Sequence, residues 1–478
     1  ANVGTSLTLN GKGTLIAPSI QLETGKLTLA DGTLQTMSAQ AFKQGLGDAG
    51  EAAATNGIAT GLALTGGTLA LQDASYNMKY VVDAEKVIAD ADGHTRLAML
   101  GTLKSGNLVF GSQGKGEDVG NAEEVPSTSV SLGKIDLVGG DTIMINSGQA
   151  ITIRGDGEKL ITSDSGDVKL LVGSKDNGAG TLNLGDAGLT SGGSLDGTLS
   201  IADESTVNVR AGMFSISTME GTSSSAITIG TAQNAGGLTV GKASLNGANV
   251  FLDPAWKDGG NLVSDASIGV FESFANGAVD GRFAVGRNSL LVLGDKDSAW
   301  AQKAVQDALD NADLTWGKDS VTAALAIKSS QKLSATGALL VDGSLATAPS
   351  VTENTATFAG QSLLVVNAAA ADGEGALQGD GTSRLSVDGG AKLHIMDVKG
   401  SQEYTVTSGF VNDKIEGWQG DDLIVSRLFN AAVNTDGGKF VVKTEAKRPD
   451  EFSQYAIPNI LAAIASGNVN NPDAAGVR

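Results

Sequence analysis

Apolar and polar positions alternate along this chain in short bursts. From Gly4 onward the segments SLTL, GTLIA, SIQL, KLTL and GTLQ each hold a few residues in period two, separated by Gly, Asp or Asn. Alternation of this kind buries one face of a strand and leaves the other polar. Gly-Asp and Asn-Gly junctions suit corners that require positive φ. The pattern returns in TIMINSG, AITIRGDG, KLITSDSG and VKLLVG, and continues to Asp253 through GTLNLGD, TVNVRAG, AITIG and GLTVGK.

Two architectures produce such a pattern: an antiparallel sandwich and a stacked parallel solenoid. A sandwich favours strands of about five to six residues with clear hairpin turns. Here L-x-L and I-x-I triplets dominate, and the self-similarity persists over most of the chain, which is the mark of a solenoid. The sequence therefore predicts an all-β fold, a right-handed parallel β-helix (β-solenoid). At roughly 20–25 residues per coil it would make about 20 coils. Stacked at ~4.8 Å, these would form a rod on the order of 90–100 Å long.

Three stretches interrupt the alternation. Ser38–Thr55 and Val81–Asp92 are Ala-rich with weak helical spacing, and are expected to bulge from the coils as short helices or loops. Asp295–Trp316 carries a stronger signal. Asp297 or Ser298 can cap a helix over 297–312, with Trp300, Ala304, Val305, Ala308 and Leu309 on one face. Such a helix can lie along the solenoid and cover an apolar β face. A last amphipathic piece, Ile457–Ser466, precedes a polar tail. The expected organisation is thus a β-helix over 1–280 with insertions near 38–55 and 81–92. C-terminal coils, the helix and a cap follow over 281–450, and a linker helix and tail over 451–478.

The monotony breaks between Ala391 and Ala446. Tyr404, Phe410, Trp418, Phe429 and Phe440 cluster there, although aromatics are only 4% of the chain. The last layer of a sheet stack leaves backbone groups and an apolar face open, so something must close it. Tyr404, Phe410, Trp418 and Phe429 are the expected cap residues, on a less regular, hairpin-like element.

Composition narrows the function classes. Gly is 66 of 478 residues and Pro only 7, with 41% apolar, which excludes collagen and disordered tracts. A net charge of −20, from 53 acidic and 33 basic residues, argues against nucleic acid or an anionic membrane as partner. The absence of cysteine removes disulfides, thiolate nucleophiles and Cys-ligated metals. The longest apolar run, around Leu363–Ala371, is about half the roughly 20 residues a spanning helix needs. No signal peptide is visible at Ala1, which reads as an internal start or a processed fragment.

The order of several segments resembles a known family. RFAVGRNSLLVLG, an Ala-rich helix, LTWGKDSVTAALAI, ATGALLVDGSL and FAGQSLLVVNAAAADGEGAL succeed one another, and SRLSVDGGAKLHIMDVKGSQEYTVTSGF and GWQGDDLIVSRLFNAAV follow. This succession is similar to the C-terminal passenger region of bacterial autotransporters, over roughly Gly281–Ala446. The tail Asn468–Arg478 resembles the linker before that family's outer-membrane barrel. The resemblance implies a type V secreted protein, displayed at the cell surface through its own C-terminal β-barrel, which is not in this chain.

Chemistry is sparse. Of two histidines, His394 alternates within KLHIM and is expected to be a solvated strand residue, while His94 sits in the turn DGHT. Ser163–Asp167, SDSGD, is near the G-D-S-G nucleophile of serine proteases, but Ser163 replaces the first Gly, and a turn explains it better. Asp156, Asp164, Asp167, Asp421 and Asp422 mark turns rather than a lyase's metal site. Neither a G-x-S-x-G elbow nor a calcium nonapeptide occurs. Arg154, Gly155 and Asp156 spell the integrin-binding tripeptide after the strand ITI. They are the weak binding candidates, and a turn with Gly155 at positive φ and Asp156 capping it is sufficient explanation for them.

The expected function is a structural adhesin at the bacterial surface, for cell adhesion, autoaggregation and biofilm. It would have no enzymatic activity, metal or cofactor. Its partners would be host-cell or bacterial surface molecules and its own copies. The competing class is a carbohydrate-active or proteolytic β-helix enzyme; a phage or surface-layer solenoid is a third.

Overall fold

The computed structural model describes strand segments between residues 7 and 163, then residues 168–174, 178–185, 192–252, 265–312 and 321–411, and strand residues with Trp418 up to 447. It divides into two compact units, Ala1–Ala248 and Asn249–Arg478. Among the described residues the chain is nearly all-β, and its long parallel sheets make it a parallel β-helix.

In the first unit the chain visits three sheets in turn. Lys134–Leu137, Thr142–Ile145 and Ala150–Ile153 form one circuit, and Ile161–Ser163, Val168–Val172 and Thr181–Leu184 form the next. Each strand pairs in parallel with its counterpart one circuit later. Parallel neighbours require a crossover, and here the rest of the coil supplies it. Even the first triplets obey this rule: Leu7–Asn10 pairs with Lys26–Ala30, and that strand with Thr68–Gln72.

Alternation becomes layering. Leu170 and Val172, Leu182 and Leu184, Leu199 and Ile201, and Val207 and Val209 are all buried, stacking like on like. Each such side chain contributes about 1.5–3 kcal/mol on burial, so every circuit adds a similar increment to the core. From Gly192 on, one bend of the coil disappears. Gly192–Ile201, Gly212–Glu220 and Gly236–Ser244 are single long strands, with a register shift between Leu195 and Thr198.

Corners follow a recurrent device. Ser205 N–H donates to Ala202 O, Ser225 N–H to Thr222 O, and Ala248 N–H to Leu245 O. Left-handed residues sit in two of these turns, Glu204 at φ 60° and Asn246 at φ 49°, a region that Asn tolerates well. At Gly185, φ is +80° and a Cβ would lie 1.9 Å from the Ala211 carbonyl oxygen of the next coil. Only glycine lets these two backbones stack.

The second unit repeats the plan. Ser267–Phe274, Ser289–Leu293, Ala323–Ile327, Ser362–Asn367 and Lys392–Met396 form one parallel succession. Asn249–Leu252, Arg282–Val285, Ala338–Asp342, Thr355–Ala359 and Arg384–Val387 form another. Phe271, Phe274 and Phe283 interlock in the core, with Phe271 and Phe283 edge to face at 4.9 Å.

Ser289–Leu293, Ala323–Ile327 and Ser362–Asn367 are buried on both faces. The cause is the helix Ala299–Ala312, hereafter α1. Ser298 caps it, since its carbonyl accepts from Gln302 N–H, while Asp297 Oδ1 accepts from Ala299 N–H at 2.8 Å. Ala301, Ala304, Val305 and Ala308 are buried against Ile268, Val270, Leu290, Val292, Leu363 and Val365, with Trp300 half-buried beside them. The expected stripe is therefore present, with Ala301 added; the Leu309 side chain lies outside the described residues. Ser289–Leu293 pairs directly with Ala323–Ile327, so α1 is an excursion from a continuous ladder.

Of the two other expected insertions, Ser38–Thr55 lies outside the described residues. Within Val81–Asp92, Val87–Ala89 is a strand paired antiparallel with Thr95–Leu97. A helix over that piece gives way to extended structure, which β-branched Val87, Ile88 and Thr95 prefer. Ile457–Ser466 and the tail also lie outside the described residues.

Candidate functional site

The most elaborate side-chain arrangement is the C-terminal closure of the second unit. Gln331–Lys332, Leu377–Gln378 and Glu403–Ser408 follow one another in parallel. The direction then reverses: Lys439–Ala446 pairs antiparallel with Glu403–Ser408, and Phe429–Asp436 pairs antiparallel with Lys439–Ala446. A hairpin thus ends a parallel ladder, which a further coil would otherwise extend.

Beneath it, Trp418 is fully buried, 5.1 Å from the Phe358 ring and 5.3 Å from that of Phe440. Tyr404 is also fully buried, and its hydroxyl accepts from Lys399 N–H at 3.0 Å. Burial pushes the Tyr404 hydroxyl pKa up. Thr444 Oγ1 donates to Gly400 O at 2.7 Å, and Thr444 N–H to Gln402 O at 2.9 Å, stitching the hairpin to the preceding turn. Of the expected cap residues, Tyr404, Phe410 and Trp418 are buried, whereas Phe429 is half-buried on the outer strand.

A second polar cluster lies at a corner that sequence reasoning passed over. Asp380 Oδ1 accepts from Thr382 N–H and Oγ1–H, each at 2.7 Å, and from Ser383 N–H and Oγ–H, each at 2.8 Å. Burial alone would raise its carboxyl pKa, but these four donors outweigh that and hold it at about 2. Asn354, left-handed at φ 56°, donates from Nδ2 to Thr382 Oγ1 at 2.8 Å, joining this corner to the previous coil. The signal in the sequence was the D-x-T-S spacing, an Asx-type turn. In the first unit Asn208 Nδ2 donates to Asn183 Oδ1 at 3.0 Å, another rung between coils.

Few of the chemical candidates fall in described positions. Arg154, Gly155 and Asp156 lie outside the described residues, as do His94, Asp164, Asp167, Asp421 and Asp422. Ser163 ends the strand Ile161–Ser163. His394 corrects its expectation: it is 5% exposed rather than solvated. It aligns with Val365, and Val365 and Met396 on its side of the sheet belong to the apolar cluster under α1. Alternation marked it as the outward residue, but outward on this sheet is not toward water.

Among the described residues no group of three or more His, Asp or Glu could hold a metal ion. No helix there is long and apolar enough to cross a membrane. What the described residues offer is repetition: rows of side chains advancing one coil at a time, closed by an aromatic cap. No protein-family profile matches the sequence, and neither a curated protein nor a solved structure matches it.

Proposed function

We propose that this chain is the passenger of a type V secretion system, an autotransporter-like β-helix that acts as a structural adhesin at the bacterial surface. The observation that carries this reading is a parallel β-helix ending in an antiparallel hairpin over Trp418, Phe440 and Phe358. That arrangement occupies the same stretch whose segment order resembles the passengers' C-terminal region. A parallel stack presents rows of side chains rather than one convergent cleft, so binding would be multivalent and distributed along the coils. Its partners would be surface molecules of host or bacterial cells and further copies of itself, with a β-barrel outside this chain as its anchor. The acidic surface, net charge −20, would oppose close approach of copies until salt screens it.

The test uses beads coated with the purified chain, mixed with each other and with bacterial cells between about 10 and 300 mM salt, a range over which the Debye length shortens from about 30 Å to under 8 Å. Clumping should strengthen as salt rises. Clumping that weakens with salt, or no binding at any salt, counts against the adhesin. Depolymerisation of acidic polysaccharides by the purified chain would replace it with the enzymatic alternative.

A further inference from the structure

We propose that the strand Phe429–Asp436 is a docking edge through which two copies of this chain pair antiparallel, about a two-fold axis. Among the described residues the strand ends its five-stranded sheet, and it pairs with Lys439–Ala446 along its full length. The register runs unbroken from Phe429↔Ala446 to Asp436↔Lys439, with no bulge to twist the edge away. From Phe429 to Thr435 every side chain is half-buried or exposed.

Sheet edges in stable proteins are protected by short length, by Lys or Pro, by inward charges or by bulges, because a row of outward N–H and C=O groups templates another strand. This edge has eight residues, FNAAVNTD, with no Lys or Pro and a single charge at its last position. The partner it fits is an extended, uncharged segment, and the strand itself is one. Antiparallel pairing centred on Ala432, so that Ala432 faces its own counterpart, would set the two copies of residue 436 at opposite ends of the joint ladder. The small side chains of Ala431 and Ala432 would lie at its middle, and directly opposed residues of an antiparallel pair have Cβ atoms about 4.5–5.5 Å apart. Elsewhere a net charge of −20 drives copies apart, so a nearly neutral strand is where two can meet. A two-fold contact of this kind uses the same patch on both copies and closes at the dimer.

Pairing at the cap is separate from adhesion along the stacked coils and does not require surface display, so failure of either leaves the other standing. Sedimentation velocity of the purified full chain over a concentration series should show reversible dimers. Ala432 is exposed, so Ala432→Lys and Ala432→Glu should preserve the fold. Each alone should weaken dimerisation at least about tenfold by setting like charges across the two-fold, and an equimolar mixture should restore it. Loss in the Lys variant is diagnostic, because an added positive charge lowers the overall repulsion. In this cysteine-free chain, Ala432→Cys should form a disulfide-linked dimer under mild oxidation. A chain that stays monomeric at every concentration, dimers indifferent to both charges, or no cross-link at position 432 would each overturn the proposal.

Discussion

Removing Trp418 tests whether the cap holds the second unit together or merely covers it. Its side chain is fully buried between Phe358 and Phe440. A buried Trp removes about 150–250 Å² of surface from water, and Trp→Ala in a core costs about 3–5 kcal/mol. We expect Trp418→Ala to cost about 4 kcal/mol, a large part of the ~5–15 kcal/mol that holds a typical domain. For a unit of this size that lowers Tm by about 10–15 °C. All four tryptophans, Trp256, Trp300, Trp316 and Trp418, lie beyond Ala248. Intrinsic fluorescence therefore reports the second unit, and three reporters remain in the variant. The backbone provides a control, since Trp418 sits at φ 52°. Glycine is at ease there and alanine is not, so Trp418→Gly should be more stable than Trp418→Ala by about 1 kcal/mol, the reverse of their usual order. A fluorescence transition displaced by less than about 1 kcal/mol in Trp418→Ala, or a glycine variant weaker than the alanine one, would refute the cap as a packed keystone.

Two further substitutions probe the corners. Asp380, with a carboxyl held at about 2 against an ordinary 3.8, favours the folded state above pH 4, and that contribution fades as pH falls from about 4 toward 2. Asp380→Asn should therefore be less stable than the parent at neutral pH, with the gap closing across that window in acid titrations followed by circular dichroism. A gap independent of pH would mean that the hydrogen bonds to Thr382 and Ser383 do not depend on the charge. Gly185→Ala forces a side chain into left-handed backbone and against the Ala211 carbonyl. We expect a loss of at least about 2 kcal/mol in far-ultraviolet circular dichroism.

Much of this molecule was legible in its sequence because layering is a local property. Triplets such as ITI and TLNL specify which residues face inward whatever coil they occupy, and like then stacks on like. Capping by Ser298 and the Ala-rich stripe of α1 were equally local, as was the concentration of aromatics in the cap. What escaped involves residues one coil apart. Asn354 meets Thr382 across 28 positions, whereas Gly180 meets Ser205 across 25 and Glu204 meets Ser224 across 20. No fixed period relates such pairs, so the corner networks were invisible until the coils were stacked. His394 shows the same division. Its outward position followed from alternation, but whether outward meant water depended on α1, an element some ninety residues earlier, lying over that sheet. Sequence determined each strand and its inner face; the tertiary structure decided the lengths of the coils and what covers their outer faces, because those depend on contacts between segments that no local pattern encodes.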